Sequence, residues 1–141
     1  MEKRQVLSIV TLICYLILVG LGAIFAIATQ LNIDDAKQQP ENDLGTALGV
    51  GIMAVLVILS AIYAAIGVIP IILKVIHIFA DSKAPAIICL LFDVAYILIN
   101  GALVLSELSA ADPAITGIAV FGGLLLVSLI AFITNIASIK E

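Results

Sequence analysis

Four polar side chains fall in register along one apolar stretch of this sequence. In Ala84–Ser106 and just beyond it, Asp93, Asn100 and Glu107 are spaced seven residues apart, with Tyr96 three after Asp93. Residues at i, i+3 and i+7 share one face of a helix. The four would form a polar seam of a carboxyl, a phenol, an amide and a second carboxyl. Groups of this kind can pass a proton, hold a cation, or bond neighbouring helices together. If a helix begins at Ala84, Asp93 lies about 14 Å along it, near the middle of a bilayer. A charge at that depth costs at least about 2.5–3.5 kcal/mol, so Asp93 is expected to face other helices. It is expected to be neutral, since no lysine or arginine is expected within the membrane beside it. As a structural group it would bond to Ser60, Tyr63, Thr11 or Ser128. As a functional one it would bind a proton or cation, with Tyr96, Asn100 and Glu107 leading outward.

The elements that must hold this seam are apolar. The 141 residues are 64% hydrophobic and 11% charged, with a mean hydropathy of +1.33. A water-soluble domain of this size needs far more polar surface. The expected fold is an all-α integral membrane four-transmembrane-helix bundle, a single domain over 1–141. Its spans are near 6–29, 44–73, 84–106 and 113–139, its outer loops are 30–43 and 107–112, and its inner loop is 74–83.

The first run, Val6–Thr29, has no charge and is too long for the apolar part of a cleaved signal peptide. Ser8, Thr11, Tyr15 and Gly22 mark its inward face, with Cys14 beside that face. Leu31–Asp43 is rich in Asn, Asp and Gln and contains Pro40, which reads as a loop with Asn42 or Asp43 capping the next helix. Leu44–Leu73 is longer than a bilayer core requires. Pro70 gives it a cause to kink or end. Gly45 and Gly49 at GxxxG spacing, then Ser60, Ala64 and Gly67, form a strip of small residues suited to helix packing. Gly117, Gly122 and Gly123 do the same in the last span. In Lys74–Lys83, Lys74 is expected to reach out to the interface while Val75, Ile76, Ile78 and Phe79 lie on the membrane. His77 reads as a polar residue at a helix end. Ser82 and Pro85 open the third span, and Asp112 and Pro113 the fourth.

Charge sets the orientation. Lys3, Arg4, Lys74, Lys83 and Lys140 fall on the side of the N-terminus and Lys37 on the other, so both termini are expected to be cytoplasmic. The opposite rim, with Asp34, Asp35, Glu41, Asp43, Glu107 and Asp112, is acidic.

Composition also excludes functions. A net charge of −4 gives no basic face for nucleic acid. Cys14 and Cys89 lie within apolar runs, so neither a disulfide framework nor a metal site is expected, and no cofactor motif is present. One histidine without an acid cluster does not make an active site, and no enzyme is expected. The first span has no acid, unlike small multidrug exporters. The chain has no tryptophan and no loop cysteine, unlike claudin-like proteins. Isoleucine richness with a single arginine points to an AT-rich microbial genome and a multi-pass protein of the plasma membrane. Its partners would be the lipid bilayer and, within it, further copies or another membrane protein. The expected function is that of a small non-catalytic membrane protein acting through helix contacts: accessory, regulatory or immunity-type. The alternative is a small oligomeric transporter or channel using Asp93 for proton or cation coupling.

Overall fold

The computed structural model describes residues 2–37, 44–80, 82–110, 112 and 115–141, with backbone only for 44–46. Among these residues there are four α-helices: α1 (Lys3–Lys37), α2 (Leu44–Phe79), α3 (Ala84–Leu108) and α4 (Ile115–Lys140). Each is long and apolar enough to cross a membrane. Four apolar runs bounded by polar segments account for the number of helices.

The helix ends differ from the sequence reading. α1 begins at Lys3 and continues through Asn32–Lys37, most of the segment expected to be a loop. Gln30 and Asp34 bond to each other at i, i+4 spacing (3.2 Å), and Ile33 is buried. The polar turn therefore still has one anchored face. α2 runs on as helix on both sides of Pro70 and ends at Phe79. The helix end expected at Leu73 is corrected by this, since residues 74–79 of the expected inner loop are helical. The missing donor of Pro70 costs one backbone bond, and the buried side chains beyond it keep the helix going. At α3, Lys83 occupies the N-cap position without a capping side chain, and the Ser82 hydroxyl accepts the Ala84 N–H at 3.4 Å. The caps expected at Asn42 and Asp43, and the first-turn position expected for Pro113, lie outside the described residues.

The chain forms two compact units, one of Met1–Leu18 with Gly67–Glu141 and the other of Val19–Ile66. In the first, four helical segments meet with a shared spacing. Their buried residues are Ser8, Thr11, Cys14, Tyr15 and Leu18 in α1, and Gly67, Pro70, Lys74 and His77 in α2. In α3 they are Ala86, Cys89, Asp93, Tyr96 and Asn100, and in α4 Ser128, Ala131, Asn135 and Ser138. Steps of three and four place every one on a narrow inward stripe. Cys14, Tyr15, Cys89 and Ala131 form its apolar centre, flanked by Ile71, Leu73 and Val127. α3 and α4 run antiparallel: Asn100 meets Leu124 and Ser128, while Ala86 and Asp93 meet Asn135.

In the second unit the close approach is at Gly22. A Cβ there would stand 2.9 Å from the ring of Tyr63 and 3.5 Å from the Ala64 Cβ, so glycine is what admits the neighbouring helix. Ala64 and Ser60 are half-buried on the facing stretch. Gly49, Gly122 and Gly123 have nothing within 4 Å of a built Cβ. Among the described residues they are therefore not points of close approach between helices, and a packing role between copies of the chain is untouched by this. Gly45 belongs to α2, and its surroundings lie outside the description.

Buried positions in both units are largely polar or small. The outward faces carry Ile24, Ile27, Leu91, Leu98 and Ile133, each more than half exposed. Water penalises such an exterior and hydrocarbon does not.

Candidate functional site

The site is a chain of bonded polar side chains within the first unit, contributed by all four helices. At its inner end Asp93 accepts the Tyr15 hydroxyl on Oδ1 (2.5 Å) and the Asn135 amide on Oδ2 (3.0 Å). Asn135 also donates to the Ala86 carbonyl at 3.0 Å, while its Oδ1 accepts from Lys74 Nζ at 2.5 Å. Both amide hydrogens are used, and the oxygen faces a cation. This fixes the amide orientation, because the reverse would set NH₂ against an ammonium. Lys74 Nζ also contacts Ser138 Oγ (2.9 Å) and His77 Nδ1 (3.2 Å). Ser138 donates onward to the Asn135 carbonyl at 2.7 Å, so its oxygen is available to accept. An ammonium has three hydrogens, and three acceptors surround it here.

The chain ends at His77, whose Nδ1 also lies 3.3 Å from Ser8 Oγ. A Lys74 ammonium can only donate, so Nδ1 accepts and the ring proton sits on Nε2. Nε2 is buried without a hydrogen-bond partner among the described residues. One helical turn away, Arg4 donates to the Ala80 carbonyl at 3.5 Å. Lys3 pairs with Glu141 at 3.3 Å on the surface. The first turn of α1, the end of α2 and the last residue of the chain therefore meet at the same end of this unit.

Several sequence expectations change. Lys74 is fully buried and does not reach out to an interface. His77 is equally buried and belongs to the interior. Asp93 has a buried cationic neighbour after all, linked to it through one asparagine amide. Its bonded partners are Tyr15 and Asn135. Thr11 bonds Thr134 (2.6 Å), Ser128 accepts from Asn100 (2.7 Å), and Ser60 and Tyr63 are in the second unit. Of the seam, Asp93, Tyr96 and Asn100 are buried on one face of α3, and Glu107 is half-buried with its side chain against Gly117. Asn100 and Ser128 form a separate bonded pair two turns from Asp93.

Sequence reasoning missed Tyr15, Lys74, His77, Asn135 and Ser138 as members of the site. The spacing held a signal, since Lys74 and His77 continue the Gly67–Pro70 stripe at steps of four and three. Pro70 itself accepts the Cys89 thiol on its carbonyl at 3.6 Å, which pins α3 next to the site. Among the described residues no group of three or more His, Cys, Asp or Glu could hold a metal ion. No family model matches the chain, and neither does any curated protein or solved structure.

Proposed function

We propose that the chain is a four-span integral membrane protein with both termini on the cytoplasmic side, and that Asp93, Asn135 and Lys74 form the proton- or cation-coupling site of a small transporter or channel. One observation carries this reading: a single buried amide bonds a lysine at its oxygen and an aspartate at its nitrogen. Helix fastening needs no ionisable group, because Asn100–Ser128 and Thr11–Thr134 achieve it in this same unit with amides and hydroxyls. An amine and a carboxyl at membrane depth add a cost that fastening does not require. The lysine also supplies a cationic group that the sequence did not lead one to expect beside Asp93. Orientation rests on Lys3, Arg4, Lys83 and Lys140 against Lys37, now without Lys74.

A second reading has its own support. Both oxygens of Asp93 and all three Lys74 hydrogens have partners, as a pure fastener would also arrange. Under that reading the protein is non-catalytic and acts through helix contacts with a copy of itself or another membrane protein.

Purified protein in liposomes, with a pH-sensitive dye inside and an imposed potential or sodium gradient, separates the two. Under the coupling reading the wild type carries ion flux, and Asp93→Asn, which keeps a hydrogen-bonding group of the same size, unfolds normally but loses that flux. Equal flux from wild type and Asp93→Asn, or flux no greater than that of empty liposomes, leaves the fastener.

A further inference from the structure

We propose that the ion handled here is the proton and that His77 passes it between Lys74 and the end of the helices where Arg4 meets Ala80; this rests on the coupling-site reading above. The first argument is the chemistry of the groups that face Asp93. A hard metal cation needs several oxygen lone pairs turned toward it. Asp93 instead receives an O–H from Tyr15 and an N–H from Asn135, whose oxygen is turned to Lys74. These are donors, arranged for a carboxylate that gains or loses a proton.

The second argument is the imidazole. Nδ1 lies 3.2 Å from Lys74 Nζ, and Nε2 is buried with no partner. A buried N–H without an acceptor is costly, and a core histidine kept only for packing would be expected to bond both nitrogens. Two ring nitrogens, one bonded and one still without a bond, are what a shuttle requires. In the transfer, the Nζ–H bond of Lys74 breaks as an Nδ1–H bond forms, leaving a neutral amine and an imidazolium. When the helix ends part enough to admit a water molecule to the buried Nε2, the Nε2–H bond breaks and that water takes the proton. The ring is left protonated on Nδ1 and donates back to the neutral amine. The reverse sequence loads Lys74. Loss of the lysine charge removes the cation that balances Asp93, so proton uptake by Asp93 is coupled electrostatically to release at His77. The charged and polar groups that act on the ring are Lys74 in α2, Arg4 and Ser8 in α1, and Lys83 ahead of α3.

His77 is the one histidine of the chain, so ¹⁵N-histidine labelling of the full-length protein in lipid nanodiscs gives one imidazole to read. The wild-type ring is expected as the Nε2–H tautomer with Nδ1 accepting, and Lys74→Met is expected to shift the Nδ1 signal by removing the lysine donor and leaving only Ser8 beside it. In liposomes, His77→Gln keeps an acceptor for Lys74 but cannot shuttle, and proton flux should fall by roughly 100-fold. Normal flux in His77→Gln together with loss in Asp93→Asn would overturn the shuttle and leave the coupling site standing. Loss of neither would remove the coupling site itself. Flux driven by sodium and indifferent to pH would overturn the proton. Should His77→Gln fail to fold, the wild-type spectrum still decides: a ring protonated on Nδ1 at rest would overturn the assignment.

Discussion

Asparagine joins a cation to an anion well because its amide has one end of each kind, and Asn135 uses both. Replacing Asp93 with leucine leaves the Tyr15 hydroxyl and an Asn135 hydrogen without acceptors, at roughly 1–3 kcal/mol for each stranded group. Ser128→Ala removes one accepting hydroxyl from the Asn100 pair and should cost about 0.6 kcal/mol, typical of an interhelical bond in lipid. Denaturant titration in micelles should rank Asp93→Leu well below Ser128→Ala, and equal midpoints would contradict the bonding scheme. The same residues mark how far the site could be read from sequence. Asp93 was legible because a carboxylate inside an apolar run has few explanations. Lys74 was not, because a lysine at the end of an apolar run is ordinarily a span boundary reaching for water. Burial in a mutual network cannot be inferred from hydropathy. It follows from which helix faces meet, and that depends on partners up to 123 residues away, as with Thr11 and Thr134.

At the scale of the helices, number and order were legible and ends were not. A polar residue late in a helix does not terminate it when its neighbours at i±4 remain anchored, as Gln30, Ile33 and Asp34 do. At 35 residues, α1 is about 52 Å long, well beyond the roughly 30 Å of a hydrocarbon core. Glycine roles were half legible. GxxxG spacing drew attention to Gly49, whereas the tight contact within the second unit is at Gly22. Gly22→Ala must displace the Tyr63 ring and should destabilise by about 1–3 kcal/mol. Gly49→Ala and Gly122→Ala meet nothing within 4 Å and should leave thermal unfolding of the monomer in detergent unchanged. A loss of stability at Gly49 equal to that at Gly22 would refute the contrast.

For the molecule as a whole, the distribution of polar and apolar side chains is the reverse of a soluble protein's, and this was legible from composition alone. Single cysteines introduced at Lys37 and Ser109, in a background where Cys14 and Cys89 are buried, should react with an impermeant thiol reagent applied outside intact cells. A cysteine at Lys83 should react only after permeabilisation, and the opposite pattern would invert the topology. The bonding pattern also has a consequence for biogenesis. Membrane helices leave the ribosome in order, but the polar face of α1 is completed by His77 of α2, Asp93 of α3 and Thr134 of α4. On the membrane topology proposed above, Ser8, Thr11 and Tyr15 would reach the bilayer before any of these partners has been synthesised, and Asn135 and Ser138 would arrive last of all. Until α4 is released, Lys74 has neither of those two acceptors. On that topology the nascent chain would need a protected environment until α4 arrives, and a message truncated before Ile115 is expected to yield an unassembled product.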